Sequence, residues 1–203
     1  MTETVVLATR NAAKVRELAR ILAGSAELVG LDQFPGAPDV PETGATFEEN
    51  ALLKGRAIAE YTGLPSVADD SGLCVDALNG MPGVLSARWA GGHGDDKANL
   101  NLVLAQVADV PDARRGAHFA CAAALVVPWR GTSEVTFTEY VVTGQVDGRL
   151  IREPRGTGGF GYDPIFLPDG YDLTTAEMSA DQKDAISHRG RAFRALAPFV
   201  RGT

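Results

Sequence analysis

The sequence predicts a mixed α/β fold, with a sheet covered by helices. Two observations carry that expectation. Short apolar runs of strand length alternate with segments of helical periodicity through the first half of the chain. Two longer β-rich runs then follow each other across a short polar break, as in a β-hairpin.

Val5-Val6-Leu7-Ala8 is a buried-strand candidate, and Thr9-Arg10-Asn11 turns the chain into a helix over about 12–23. Val15, Leu18 and Leu22 share one face of that helix. Residues 31–45, rich in Pro, Gly and Asp, read as a loop. A second helix follows over about 46–61, with Phe47, Ala51, Ile58 and Tyr61 on its apolar side. Residues 65–68 form a strand that enters a tight turn at Asp69-Asp70-Ser71-Gly72, and Leu73-Cys74-Val75 resumes as a short strand. The segment 79–94 reads as a long functional loop. A third helix covers about 96–107, and strands at 119–127 and 135–142 meet through Pro128-Trp129-Arg130-Gly131. A glycine-rich loop at 156–161 precedes a brief strand near Ile165-Phe166, and the last helix runs over about 188–200. Neither an internal repeat nor a low-complexity tract interrupts this order.

The 203 residues suffice for one large domain or one domain of two lobes. A net charge of −7 speaks against nucleic-acid polymers as partners but leaves small anions open, since a local basic pocket can sit in an acidic protein. No apolar run reaches membrane-spanning length, so no membrane association is expected. Met1-Thr2-Glu3-Thr4 lacks a basic region before its apolar run, so a secretory signal is not expected. Cys74 and Cys121 both lie in apolar segments and read as core residues of a reducing compartment, which makes the cytoplasm the expected location.

Four stretches carry chemistry. In Ala68-Asp69-Asp70-Ser71-Gly72, two neighbouring carboxylates interrupt an apolar run. Burial and mutual repulsion both oppose their charge, and Mg²⁺, a hard ion that takes oxygen ligands, would relieve both costs. A turn cap beside a solvated acid is the plainer alternative. In Thr9-Arg10-Asn11-Ala12-Ala13-Lys14, Asn11 suits an N-cap. Lys14 falls at the positive end of the helix dipole, where either a bound anion or simple exposure accounts for it. On the second helix, Asn50 and Lys54 fall on the apolar stripe, so Lys54 faces an anion or snorkels at the stripe's edge; Glu42 in the preceding loop is a metal ligand or a surface acid. Phe160, flanked by four glycines within residues 156–161, offers a ring face for a flat heterocycle or fills a core. Lys183 and Ser187-His188-Arg189-Gly190 place donors at the start of the last helix, suited to an electron-rich ligand or to plain exposure.

Together these motifs resemble the Ham1-like nucleoside triphosphate pyrophosphatases, also called inosine triphosphate pyrophosphatases. The resemblance runs nearly end to end. It takes in Thr9-x-Asn11-x-x-Lys14, Glu42-Thr43-Gly44-x-Thr46-Phe47-x-Glu49-Asn50-Ala51 and Ala68-Asp69-Asp70-Ser71-Gly72-Leu73. It continues through Gly83-x-x-Ser86-Ala87-Arg88, Gly158-Gly159-Phe160-Gly161-Tyr162-Asp163-Pro164 and Ser187-His188-Arg189-Gly190.

The resemblance implies a single domain over residues 1–203, built on an elongated mixed sheet with two lobes and a nucleotide cleft between them, in a homodimer. It implies Mg²⁺-dependent hydrolysis of ITP, dITP and XTP to the monophosphate and pyrophosphate, removing deaminated purines from the nucleotide pool. By that likeness Asp70 is the proton acceptor and a metal ligand, with Glu42 also on the metal. Thr9, Asn11 and Lys14 hold the phosphates, helped by Lys54, Ser71 and Lys183. Phe160, Gly161, Tyr162 and Asp163, with His188 and Arg189, form the base pocket. Donors facing the 6-oxo group reject an amino group there by roughly 10⁴-fold or more. Many family members carry glycines where this chain has Arg10 and Ala13, and Arg10 would add a phosphate contact. If Asp69 and Asp70 alternate along a strand, only one of them faces the metal. A non-catalytic purine nucleotide sensor and a hydrolase of another modified triphosphate are the competing readings.

Overall fold

The computed structural model describes residues 4–131 and 135–202; the Arg130 side chain is excluded. Its elements are β1 (Thr4–Leu7), α1 (Ala12–Ile21), β2 (Glu27–Gly30), α2 (Phe47–Thr62), β3 (Ser66–Val75), α3 (Asp96–Gln106), β4 (Gly116–Arg130), β5 (Val135–Leu150), β6 (Phe166–Pro168), α4 (Ala180–Ile186) and α5 (His188–Val200). The strands form one sheet in the order β2-β1-β3-β4-β5-β6. β1 pairs in parallel with β2 and β3, and β5 pairs antiparallel with β6, so the sheet is mixed as expected.

The residues group into two compact units. The first comprises Met1–Asp70, Cys121–Gly144 and Arg189–Thr203; the second comprises Ser71–Ala120 and Gln145–His188. Each has its own core. In the first unit, Leu18 and Leu22 of α1 and Phe193, Leu196 and Val200 of α5 pack with Val5, Leu7, Val67, Cys121, Ala123 and Leu125 of the strands. On α2, Ala51 packs with Ala122 and Ala124, and a Cβ added at Gly55 would lie 2.7 Å from Val126 Cγ2. Small residues one helical turn apart therefore let α2 lie close to β4. In the second unit, Leu100 and Val103 of α3 pack with Leu73, Val75, Phe119, Leu150, Ile165 and Phe166.

Four expectations need correction. Asp69-Asp70-Ser71-Gly72 is no turn: β3 runs unbroken from Ser66 to Val75, and both aspartates are buried. Paired charge can remain in a strand interior, whereas the apolar pattern alone reads any charge as a strand end. β2 and α4 escaped the sequence reading. The first is only four residues long, and the second opens on a Ser179–Gln182 capping box that the sequence does display. β4 and β5 both extend past the expected strands, and β4 continues through Pro128–Arg130, so the connection falls partly at 132–134, outside the described residues. Tyr61, expected on the apolar stripe of α2, is exposed.

The second unit also buries Arg115. Its guanidinium donates to the carbonyls of Leu150, Val107 and Ile151, which ties the end of α3 to the end of β5. Burial, helped by nearby Arg152, pulls its pKa down from the ordinary arginine value. Arg115→Met removes all three donors while keeping the stem. Urea titration is expected to show a loss of about 2–3 kcal/mol, because buried carbonyls are left unpaired.

Candidate active site

In the first unit the chemistry gathers at the start of α1, the inner face of α2 and the end of β3 within that unit. Asn11 caps α1, its side-chain oxygen accepting from the Ala13 and Lys14 amides, and Thr9 Oγ1 accepts from the Asn11 amide. Lys14, awkwardly placed for the helix dipole, is drawn to Asp69, with Nζ 2.9 Å from Oδ2. Arg10 donates to the Ala37 carbonyl at 2.6 Å and so secures the 31–45 loop.

The two aspartates differ sharply. Asp69, 2 % exposed, sits between Lys14 and Arg189, whose Nε is 3.3 Å from Oδ2. Arg189 also pairs with the buried Glu17 at 2.6 Å. Burial works against Asp69's charge, yet Lys14, Arg189 and Lys54 outweigh it and hold the carboxyl well below its usual range. Burial likewise opposes the Arg189 charge, but Asp69 and Glu17 raise its pKa further. Arg189, expected in the base pocket, is thus engaged with two carboxylates inside the first unit.

Asp70, 5 % exposed, accepts a hydrogen bond from Asn50 Nδ2 at 2.9 Å and lies 3.7 Å from Lys54 Nζ. Lys54 in turn donates to Glu42 at 2.6 Å. Here burial wins: together with Glu42 it pushes the Asp70 pKa up, against the pull of Lys54, Lys14 and Asn50. Burial disfavours the Lys54 charge too, but Asp70, Asp69 and Glu42 overcome it and raise the amine's pKa. The alternation of strand side chains accounts for these separate partner sets. Ser71 follows on β3, in the second unit.

Glu42 and Asp70, joined through one ammonium, form a hard oxygen donor pair that fits Mg²⁺. Among the described residues no group of three or more His, Cys, Asp or Glu is placed to hold a metal. Two carboxylates suit an ion that draws its remaining ligands from water and substrate phosphates.

In the second unit, Asp163 organises the glycine-rich loop. Its Oδ2 accepts from the Phe160 amide at 2.8 Å and from Lys183 Nζ at 2.6 Å, and its Oδ1 accepts from Thr175 Oγ1 at 2.8 Å. Lys183 Nζ also lies 5.0 Å above the Phe160 ring. Lys183, expected on phosphate, is therefore seen clasping this loop. Gly159 and Gly161 both take left-handed backbone angles that glycine tolerates, and the Gly161 amide donates to Asp96. The Tyr162 hydroxyl donates to the Ser86 carbonyl at 2.8 Å, and burial, aided by Asp96, raises its pKa. The His188 ring stacks on Phe119 with centroids 4.8 Å apart. Glu17, Asn50, Ser86, Asp96 and Thr175 were not among the expected site residues. Of these, Asn50 was visible as a polar residue on the apolar stripe of its helix.

The model of the Ham1 family matches residues 5–199. A dITP/XTP pyrophosphatase of Streptomyces coelicolor is 62% identical over 200 residues, covering 97% of this chain and 96% of that protein. The crystal structure of a nucleoside-triphosphatase, dITP/XTP pyrophosphatase, from Mycobacterium abscessus superposes with a TM-score of 0.76 at 55% identity, covering 96% of this chain and 99% of that one. A HAM1 protein from Coxiella burnetii gives 0.84 at 39% identity, with 99% and 100% covered. A full-length match of this kind, with the motif residues gathered as described, makes the chain a member of the Ham1 family.

Proposed function

We propose that this protein hydrolyses deaminated purine nucleoside triphosphates, ITP, dITP and XTP, to the monophosphate and pyrophosphate. The observation that carries the reading is the Glu42–Lys54–Asp70 cluster, in a chain whose relatives are named dITP/XTP pyrophosphatases.

In this reading Glu42 and Asp70 hold Mg²⁺, which when bound supplies positive charge to the phosphate oxygens. Asp70 accepts the proton of the attacking water, a task suited to a carboxylate whose pKa burial has raised. Lys54 adds charge beside the leaving pyrophosphate, and Thr9, Asn11, Lys14 and Ser71 steady the phosphates near the positive end of α1. The loop carrying Phe160, Gly161 and Tyr162 receives the purine, with His188 as a donor. Asp163 and Lys183 keep that loop in shape, and Arg189 keeps Asp69 charged and fixed.

We place the protein in the cytoplasm; among the described residues no helix is long and apolar enough to cross a membrane. We further propose a homodimer formed through the first unit. Exposed Trp129 donates to Thr138 on β5, and on the same strand Tyr140 stacks on Phe199 of α5 at 4.6 Å. An exposed aromatic face of this kind marks a docking surface. Sedimentation is expected to give a particle of two chains; a monomer at micromolar concentration refutes the dimer.

The deciding assay presents ITP, dITP, XTP, the four standard triphosphates and modified pyrimidine triphosphates with Mg²⁺. Pyrophosphate is measured directly, and orthophosphate before and after added inorganic pyrophosphatase. Pyrophosphate release with a preference for ITP and XTP supports the proposal. Tight binding without turnover points to a sensor, and preference for a modified pyrimidine points to another substrate class; either result overturns it.

A further inference from the structure

The geometry points to Asn50 as a positioning residue that fixes the Glu42 loop to Asp70 and so sets the spacing of the two carboxylates. This inference rests on the catalytic reading above. Asn50 is fully buried on α2, where an apolar side chain would be the ordinary occupant. Both ends of its amide are engaged. Nδ2 donates to Asp70 Oδ2 at 2.9 Å, and Oδ1 accepts from the Gly44 amide at 2.8 Å. The carboxylate demands a donor and the amide demands an acceptor, so only one orientation of the side chain serves both. One planar group thus links a strand, a helix and the loop that carries Glu42 two residues before Gly44.

Gly44 shows how tight that link is. A Cβ there would lie 2.8 Å from Asn50 Oδ1 and 2.6 Å from Glu49 Cβ, so only glycine permits this approach. The helix start is tied to the same loop independently. Thr46 caps α2 by accepting from the Glu49 amide, and the Glu49 carboxylate accepts from the Ala45 amide at 2.6 Å. The helix would therefore form without Asn50. What Asn50 adds is registration: it ties the Glu42 loop directly to Asp70, whereas the Lys54 link between the two carboxylates runs through a long and flexible side chain. Asn50 touches neither water nor phosphate in this scheme and acts through its neighbours.

Three variants test the inference. Asn50→Asp keeps an oxygen for the Gly44 amide but turns a second acceptor toward Asp70. Asn50→Leu removes both bonds while keeping the branched outline of the side chain. Gly44→Ala leaves Asn50 intact and pushes the loop away from it, which guards against a failure of either Asn50 variant to fold. Steady-state kinetics with ITP is expected to show kcat reduced about 100-fold in all three, the effect of misplacing reacting groups by an ångström or so. The apparent KM for Mg²⁺ is expected to rise while the KM for ITP stays within about threefold, because base contacts lie elsewhere.

Amide exchange followed by NMR gives a readout without turnover. The Gly44 amide is expected to be protected in the parent protein and in Asn50→Asp, and to lose protection in Asn50→Leu. Parent-like kcat and Mg²⁺ dependence in folded variants overturns the inference, as does a Gly44 amide that stays protected in Asn50→Leu. If the parent protein turns over no triphosphate, the catalytic reading fails by itself, and the exchange experiment still decides whether Asn50 holds the loop.

Discussion

Asp70→Asn is expected to lower kcat for ITP about 10²–10⁴-fold, the usual worth of a positioned proton acceptor, while leaving the fold at least as stable as in the parent protein. The two halves of that expectation share one cause. Asp70 is buried beside Glu42, and its folded-state pKa is raised. A carboxyl with a raised folded pKa favours the folded state at low pH, and that contribution is lost as pH rises through the folded value. At neutral pH its charge is thus a cost to folding. Asparagine removes the cost, keeps the volume and retains an oxygen for the Asn50 donor. Lys54 keeps Glu42 as its partner at 2.6 Å. Thermal unfolding should give a Tm equal to or above the parent's, in a protein nearly without turnover. A variant that retains activity would remove Asp70 from the proposed chemistry. One that loses activity only because Tm collapses would make its role structural.

How far the sequence foretold this depends on whether a residue's partner lay nearby in the chain. α5 spans His188–Val200 as its apolar spacing predicts, and Asn11 caps α1 as its position before the periodic run predicts. Local rules govern both. The end of β3 failed because its carboxylates find their partners far away: Arg189 reaches Asp69 across 120 residues of sequence, and Asn50 reaches Asp70 across 20. Nothing within the strand announces those partners. Lys183 has its partner far off as well. Its motif marks it as a cation near a ligand loop, but only the fold shows Asp163 within 2.6 Å. Resemblance picked out candidate residues; which of them share partners had to come from distances and burial.

Asp69→Asn is expected to do the reverse of its neighbour's substitution. In the first unit Asp69 and Glu17 balance Lys14 and Arg189, with the Arg189 guanidinium fully enclosed. Removing one member of such a set leaves an uncompensated buried charge, worth about 3–5 kcal/mol. For a chain of this size that lowers Tm by roughly 10 °C. Because the Asp69 pKa is held far down in the folded protein, its contribution is present above the ordinary carboxylate range, near about pH 4. It is lost as pH falls through the folded value. The acid limb of the stability curve should therefore flatten in Asp69→Asn. Replacing Glu17 by Gln and Arg189 by Met together should cost less than the sum of the two single changes, since the pair leaves together. An Asp69→Asn protein with the parent's Tm and acid limb but no turnover would exchange the roles of the two aspartates, putting the proton acceptor on the side of β3 that faces Lys14.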